Sequence, residues 1–165
     1  MTQNPDLTFQ SATYDKADNV ATAKDANGNV VRNSYDELNR LTSVTFPNST
    51  QLQYFYDGNG NLVKMTYPVQ PAQGATDSTT YSYDARNRLT GETQTVDGKA
   101  YSLAYSYDGA GNVISMKYPD GYSVTMTYDA LNRLHRLGTL ATVYYTLDNQ
   151  VASIRYGDGK TSTYT

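Results

Sequence analysis

The chain has 165 residues, 38% of them hydrophobic, with 17 tyrosines against three phenylalanines and no tryptophan, and a formal net charge of −3. This composition excludes several classes. There is no basic block for sequence-independent binding to a nucleic-acid backbone, no cysteine for thiol chemistry or a disulfide framework, and no apolar run near the roughly 20 residues of a membrane helix. Tyrosine as the main bulky residue, set among Thr, Ser, Asn, Asp and Gly, suits half-wet strands and turns rather than one deep apolar core.

In chain order, residues 1–13 form a lead-in with neither the basic start nor the apolar stretch of a signal peptide. From Tyr14 a repeat takes over. Tyr-Asp occurs at Tyr14-Asp15, Tyr35-Asp36, Tyr56-Asp57, Tyr83-Asp84, Tyr107-Asp108 and Tyr128-Asp129, and a degraded copy stands at Tyr145-Thr146. The steps between these tyrosines are 21, 21, 27, 24, 21 and 17 residues, which marks a tandem array. The copies read YDKADNV, YDELNRL, YDGNGNL, YDARNRL, YDGAGNV, YDALNRL and YTLDNQV.

The fifth place of each copy holds Asp18, Asn39, Gly60, Asn87, Gly111, Asn132 or Asn149. Only residues that tolerate a left-handed backbone stand there. A tight hairpin built on a type I turn needs one such residue at a fixed place, and the preceding Asp can accept hydrogen bonds from the turn's N–H groups. The flanks alternate as strands do: Tyr81 with Tyr83, Tyr105 with Tyr107, and Tyr54 with Tyr56 each share a face. A second set of turns lies between copies, at Asn27-Gly28-Asn29, Pro47-Asn48-Ser49, Asp97-Gly98, Pro119-Asp120-Gly121 and Asp158-Gly159.

The expected fold is all-β: tandem antiparallel β-hairpins, essentially no helix, and strands of about 6–9 residues. One domain over residues 1–165 is expected, with about seven hairpin repeats over 14–156, a longer loop at 68–79 and a C-terminal strand at 157–165. Copies ending Gly-Asn-Leu or Gly-Asn-Val alternate with copies ending Asn-Arg-Leu, so the unit is expected to be a pair of hairpins.

The copies YDGNGNL, YDELNRL, YDARNRL, YDGAGNV and YDALNRL resemble the repeats of the RHS/YD-repeat family, over nearly the whole chain from Tyr14 to Tyr156. That family includes bacterial rearrangement-hotspot proteins, the shell-forming component of insecticidal toxin complexes, and the teneurins. The resemblance implies a curved, twisted sheet strip that forms part of a spiral β-shell. In bacterial members such a shell encapsulates a C-terminal toxin domain. It also implies a protein that is secreted, at the cell surface, or exported by a bacterial secretion system, and in several members carbohydrate binding. This chain has neither the Pro-rich closing segment nor a toxin domain after its repeats, so the implied partners are the remainder of a larger parent polypeptide and its enclosed cargo.

Little in the residues points to catalysis. The single histidine, His135, has no nucleophile-elbow pattern near it and is read as a strand-surface residue. Asp25–Asn29 and Asp57–Asn61 offer alternating oxygen ligands, but the sixth residues are Val30 and Leu62 where a calcium loop needs glycine, so an Asx-type turn is the reading. No cofactor, metal or nucleic-acid partner is expected, and the chain is read as a structural segment rather than an enzyme. The repeated tyrosines are expected to pack between hairpins. The non-repeated aromatics Phe55, Tyr122 and Tyr144 are the freer candidates for contact with a ligand. Arg40, Arg88 and Arg133 could pair with the repeated aspartates or face an anionic partner. The alternative to a shell segment is a free-standing surface module that binds carbohydrate or a protein. Open strand edges would also permit self-association.

Overall fold

The computed structural model describes residues 9–67 and 77–164. Among these residues every regular element is a β-strand. The fifteen strands succeed one another in chain order in an open antiparallel sheet, with no crossover. By their contacts the residues divide into two compact units, Met1–Ser82 with Thr93–Ala100, and Tyr83–Glu92 with Tyr101–Thr165.

In the first unit, β1 (Phe9–Tyr14), β2 (Val20–Asp25), β3 (Val30–Tyr35), β4 (Leu41–Thr45), β5 (Gln51–Tyr56) and β6 (Leu62–Thr66) pair in succession, and β6 pairs with β7 (Ser78–Tyr83). Next come β8 (Leu89–Val96) and β9 (Lys99–Tyr107), and then in the second unit β10 (Val113–Lys117), β11 (Ser123–Tyr128), β12 (Leu134–Leu137), β13 (Ala141–Tyr145), β14 (Val151–Tyr156) and β15 (Thr161–Thr163). Nine of the fifteen strands have the expected 6–9 residues, and the other six are three to five residues long. The repeat spends four or five residues on most of its turns, with shorter ones at 97–98 and 138–140. The lead-in contributes β1 from Phe9 onward. Of the expected loop at 68–79, residues 68–76 lie outside the described residues, and the last residues of the expected C-terminal strand form β15 after a turn at 157–160.

Burial across these strands is sparse. Among the described residues the only buried apolar side chains are Ala23 and Val143, and the buried polar ones are Ser43, Thr66 and Thr79. One face is half-covered by cross-strand rows. Asn33, Val44 and Leu52 lie opposite one another across β3, β4 and β5, and Tyr54, Met65 and Thr79 across β5, β6 and β7. In the second unit Tyr105, Met116 and Val124 form one row, and Met126, Leu137 and Ala141 another. Each such pair contributes about 0.2–1 kcal/mol, so cohesion is spread along the array rather than held in a core.

Turns at both edges share one hydrogen-bond pattern. In the first repeat Asp18 N–H donates to Asp15 C=O, and Asp15 N–H donates to Asn19 C=O. Gly28 and Asp25, Ser49 and Phe46, and Gly121 and Tyr118 repeat the pattern at the other edge. The Tyr-Asp turns differ in the ladder just beyond them. After six of the seven, two residues face one across the ladder: Ala21, Thr42, Val63, Ile114, His135 and Ala152 are the extra residues of these bulges. A bulge bends its strand and increases local twist, so each of these six strands is bent just after its turn.

Candidate functional site

The repeated side chains meet at the edge of the Tyr-Asp turns. Backbone conformation sets the first condition: φ is +63° at Asp18, +59° at Asn39, +89° at Gly60, +58° at Asn87, +99° at Gly111, +57° at Asn132 and +65° at Asn149. With the chain turned this way, the aspartate folds back over its own turn. Asp36 Oδ1 accepts from Leu38 N–H at 2.9 Å and Arg40 N–H at 3.0 Å. Its Oδ2 accepts from Arg40 Nε, and Arg40 Nη2 lies 2.7 Å away. Asp84 with Arg88, and Asp129 with Arg133, repeat this geometry.

Where the sixth residue is asparagine, its side-chain amide takes the guanidinium's place. Asn19 Nδ2 donates to Asp15 Oδ2, Asn61 to Asp57 and Asn112 to Asp108, at 2.9–3.0 Å. The same arrangement at Asp25 uses Asn29 Nδ2 at 2.8 Å. The carboxylates are held below their ordinary 3.8. The Asn side-chain donor is the largest cause at Asp15, Asp25, Asp57 and Asp108. The Arg backbone N–H is largest at Asp36 and Asp84, and the Arg side chain at Asp129. Both oxygens of these groups are occupied by their own turn. They are therefore turn clamps, and the calcium-like spacing at Asp25 and Asp57 encodes Asx turns.

Further donors of these repeats reach the neighbouring hairpin. Tyr35 Oη donates to Val20 C=O at 3.1 Å, Tyr56 to Leu41 at 2.9 Å, Tyr107 to Leu89 at 2.6 Å, Tyr128 to Val113 at 2.9 Å and Tyr145 to Leu134 at 2.9 Å. Each tyrosine thus bonds the first strand residue after the preceding turn. In return, the Arg of one copy covers the tyrosine of the next: Arg40 lies 4.6 Å from the Tyr56 ring centre, Arg88 4.4 Å from Tyr107 and Arg133 4.3 Å from Tyr145. Arg88 Nη1 also donates to Asp108 C=O at 3.1 Å, and Arg133 Nη1 to Asn149 Oδ1 at 2.7 Å. Asn copies use a shorter link, from Asn19 to Asn39 Oδ1 at 3.0 Å and from Asn112 to Asn132 Oδ1 at 3.1 Å.

The structure thus places Tyr35, Tyr56, Tyr107 and Tyr128 in inter-hairpin links. Tyr14 ends β1 and is 62% exposed, while Tyr83 is half-buried at the end of β7. The three candidate ligand aromatics each have a partner of their own. Phe55 lies beside Lys64, its cross-strand neighbour. Tyr122 tilts against Tyr118, and Tyr144 makes a T-shaped pair with His135, ring centres 6.2 Å apart. His135 is a bulge residue, with Nδ1 3.3 Å from Val143 C=O.

An array of hairpins whose turns clamp themselves and then link to the next hairpin defines a tandem β-hairpin repeat protein. The RHS Repeat family profile matches residues 14–51, 35–72 and 107–142, and the chain belongs to that family. It is 32% identical over 166 residues to the tRNA3(Ser)-specific nuclease WapA of Bacillus spizizenii, across 97% of this chain and 6% of that protein. Among solved structures, TcdB2–TccC3–TEV matches with a TM-score of 0.70 at 22% identity, over 92% of this chain and 9% of that one. The Photorhabdus luminescens Tc holotoxin pore carrying a mutated TccC3 matches at 0.68 and 22% identity, over 88% and 9%. At this identity the two structures establish a common fold. The chain spans under a tenth of the length of each of these proteins.

Proposed function

We propose that the chain is a non-catalytic wall segment of a larger RHS-repeat protein of toxin type, exported or extracellular, whose β-shell encloses a toxin or other cargo domain. The observation that carries this reading is the turn edge. Its carboxylates are spent on their own turns, and its guanidiniums and tyrosine hydroxyls on holding one hairpin to the next, which is the economy of a wall rather than of an active site. The small shares of WapA and of the TccC3 assemblies that it matches support a segment within something longer.

The test has two stages. An antibody against the segment, used on lysate and medium of the source cells, is expected to detect a band many times the 18.2 kDa of this chain. Limited proteolysis of that purified protein is then expected to leave the cargo domain uncut until the repeats are unfolded. A native band near 18.2 kDa, or a cargo domain digested as fast inside the protein as outside it, would overturn the reading.

A further inference from the structure

We propose that the face of β12, β13 and β14 carries an oxyanion-binding groove that takes the phosphate or sulfate ester of a small organic ligand. The register places its groups. Arg136 lies opposite Thr142, and Thr142 lies opposite Arg155, so two guanidiniums flank one hydroxyl on the same face. With strands about 4.8 Å apart, two arginine side chains standing on either side of Thr142 can both reach an anion seated over it. A guanidinium fork matches two oxygens of a tetrahedral oxyanion.

These two arginines differ from the others. Arg40, Arg88 and Arg133 are committed to aspartates, and Arg86 donates to Gly109 C=O. Arg136 and Arg155 make no side-chain hydrogen bond or ion pair among the described residues. Arg32 on β3 lies opposite threonines on both sides, with no second guanidinium in its row. Two like charges facing a shared threonine repel each other, and a bound anion would relieve the repulsion.

The face is hollowed. A groove of about 290 Å³ is lined by Arg136, Thr142, Tyr144, Arg155 and Gly157. Its rim is fixed: Gly157 N–H donates to Leu140 C=O at 2.8 Å, and the carboxylate of the rim turn, Asp158, pairs with Lys160 at 3.1 Å instead of with either arginine. Tyr144, two residues along β13 on the same face, is braced by His135 and offers a ring to the ligand's carbon body.

The inference is independent of the shell reading and is tested on this chain. Isotope-labelled protein is titrated with inorganic phosphate, inorganic sulfate and phenyl phosphate, against sodium chloride at matched ionic strength. Arginine Nε–H and backbone amide resonances are monitored by NMR. Saturable shifts at Arg136, Arg155 and Thr142 are expected. Arg136→Gln and Arg155→Gln should each weaken binding about tenfold or more, with Arg32→Gln unchanged. Phenyl phosphate should bind more tightly than inorganic phosphate, and Tyr144→Ala should erase that advantage. The better of phosphate and sulfate identifies the ester. Shifts that are linear in anion, reproduced by chloride, or unaltered in both glutamine variants would overturn the proposal. The amide spectrum of each variant reports whether it is folded.

Discussion

At the fifth place of a Tyr-Asp turn, a side chain must accept φ near +60°. Glycine does so freely, and asparagine and aspartate do so at low cost, whereas a β-branched side chain clashes with its own carbonyl. Asp18→Gly, at φ +63°, is therefore expected to change stability little. Asp18→Val should cost about 1–2 kcal/mol, read from denaturant midpoints. This position was legible in the sequence because its restriction to three residue types has one physical cause. The role of the sixth residue was not legible, because asparagine and arginine look unrelated until both are seen donating to the same carboxylate oxygen.

The carboxylates also set a pH dependence. Seven aspartates lie below the ordinary 3.8, so the fold favours their charged form. Stability from these groups is fully present above the unfolded value and is lost as pH falls through their depressed values. Thermal melts at fixed ionic strength should be flat from neutrality to about pH 5 and should decline below pH 4. Replacing Asp36, Asp84 and Asp129 together by asparagine should lower the neutral-pH plateau and flatten the acid limb. An unchanged acid limb would show that other groups govern acid unfolding.

Between elements, the tyrosine hydroxyl is the connection whose loss is simplest to measure. Tyr56→Phe keeps the ring under Arg40 and removes only the bond to Leu41 C=O. A loss of about 1 kcal/mol is expected, seen as a melting point about 2–4 °C lower. A melting point unchanged by Tyr56→Phe would reduce the tyrosine to ring packing alone. Gly157 tests a different contact. Its φ is ordinary, but a Cβ there would run into the Thr139 carbonyl. Gly157→Ala should therefore displace the 138–140 turn and destabilise β13 and β14, with broadened amide signals confined to that region. Hairpins were readable from alternation and turn residues, but the bulges were not. A bulge leaves no mark on composition, since Ala, Thr, Val, Ile and His all fill the extra position. For this reason His135, which reads as an ordinary strand residue, is in fact the extra residue of a repeated bend.

At the scale of the whole array, strand order equals chain order among the described residues. Every ladder contact is therefore made with a sequence neighbour, and stability is expected to behave as a sum of hairpin and interface terms. Native-state hydrogen exchange should show graded protection, lowest in β1 and β15, the first and last strands of the order among the described residues, instead of one global opening event. A single uniform protection factor across all strands would contradict this. The all-β architecture was legible because the repeat recurs in register along the chain. The links between hairpins were less so, because Tyr35 and Val20 are distant in sequence and are joined only through a backbone carbonyl, which every residue carries.

The two kinds of link carry a rule of inheritance. An asparagine at the sixth place needs a side-chain acceptor on the next copy, as Asn19 finds in Asn39. An arginine accepts either a glycine copy, as Arg40 does beside Gly60, or an asparagine copy, as Arg133 does with Asn149. Unequal recombination that removes an arginine copy, such as the one at Tyr35, would set Asn19 against Gly60, which offers no acceptor. Recombination that removes a glycine copy leaves a meeting already present in the chain. Gene lineages descended from this array should therefore have gained and lost hairpins in pairs, or shed the glycine copies singly, and should seldom have shed an arginine copy alone.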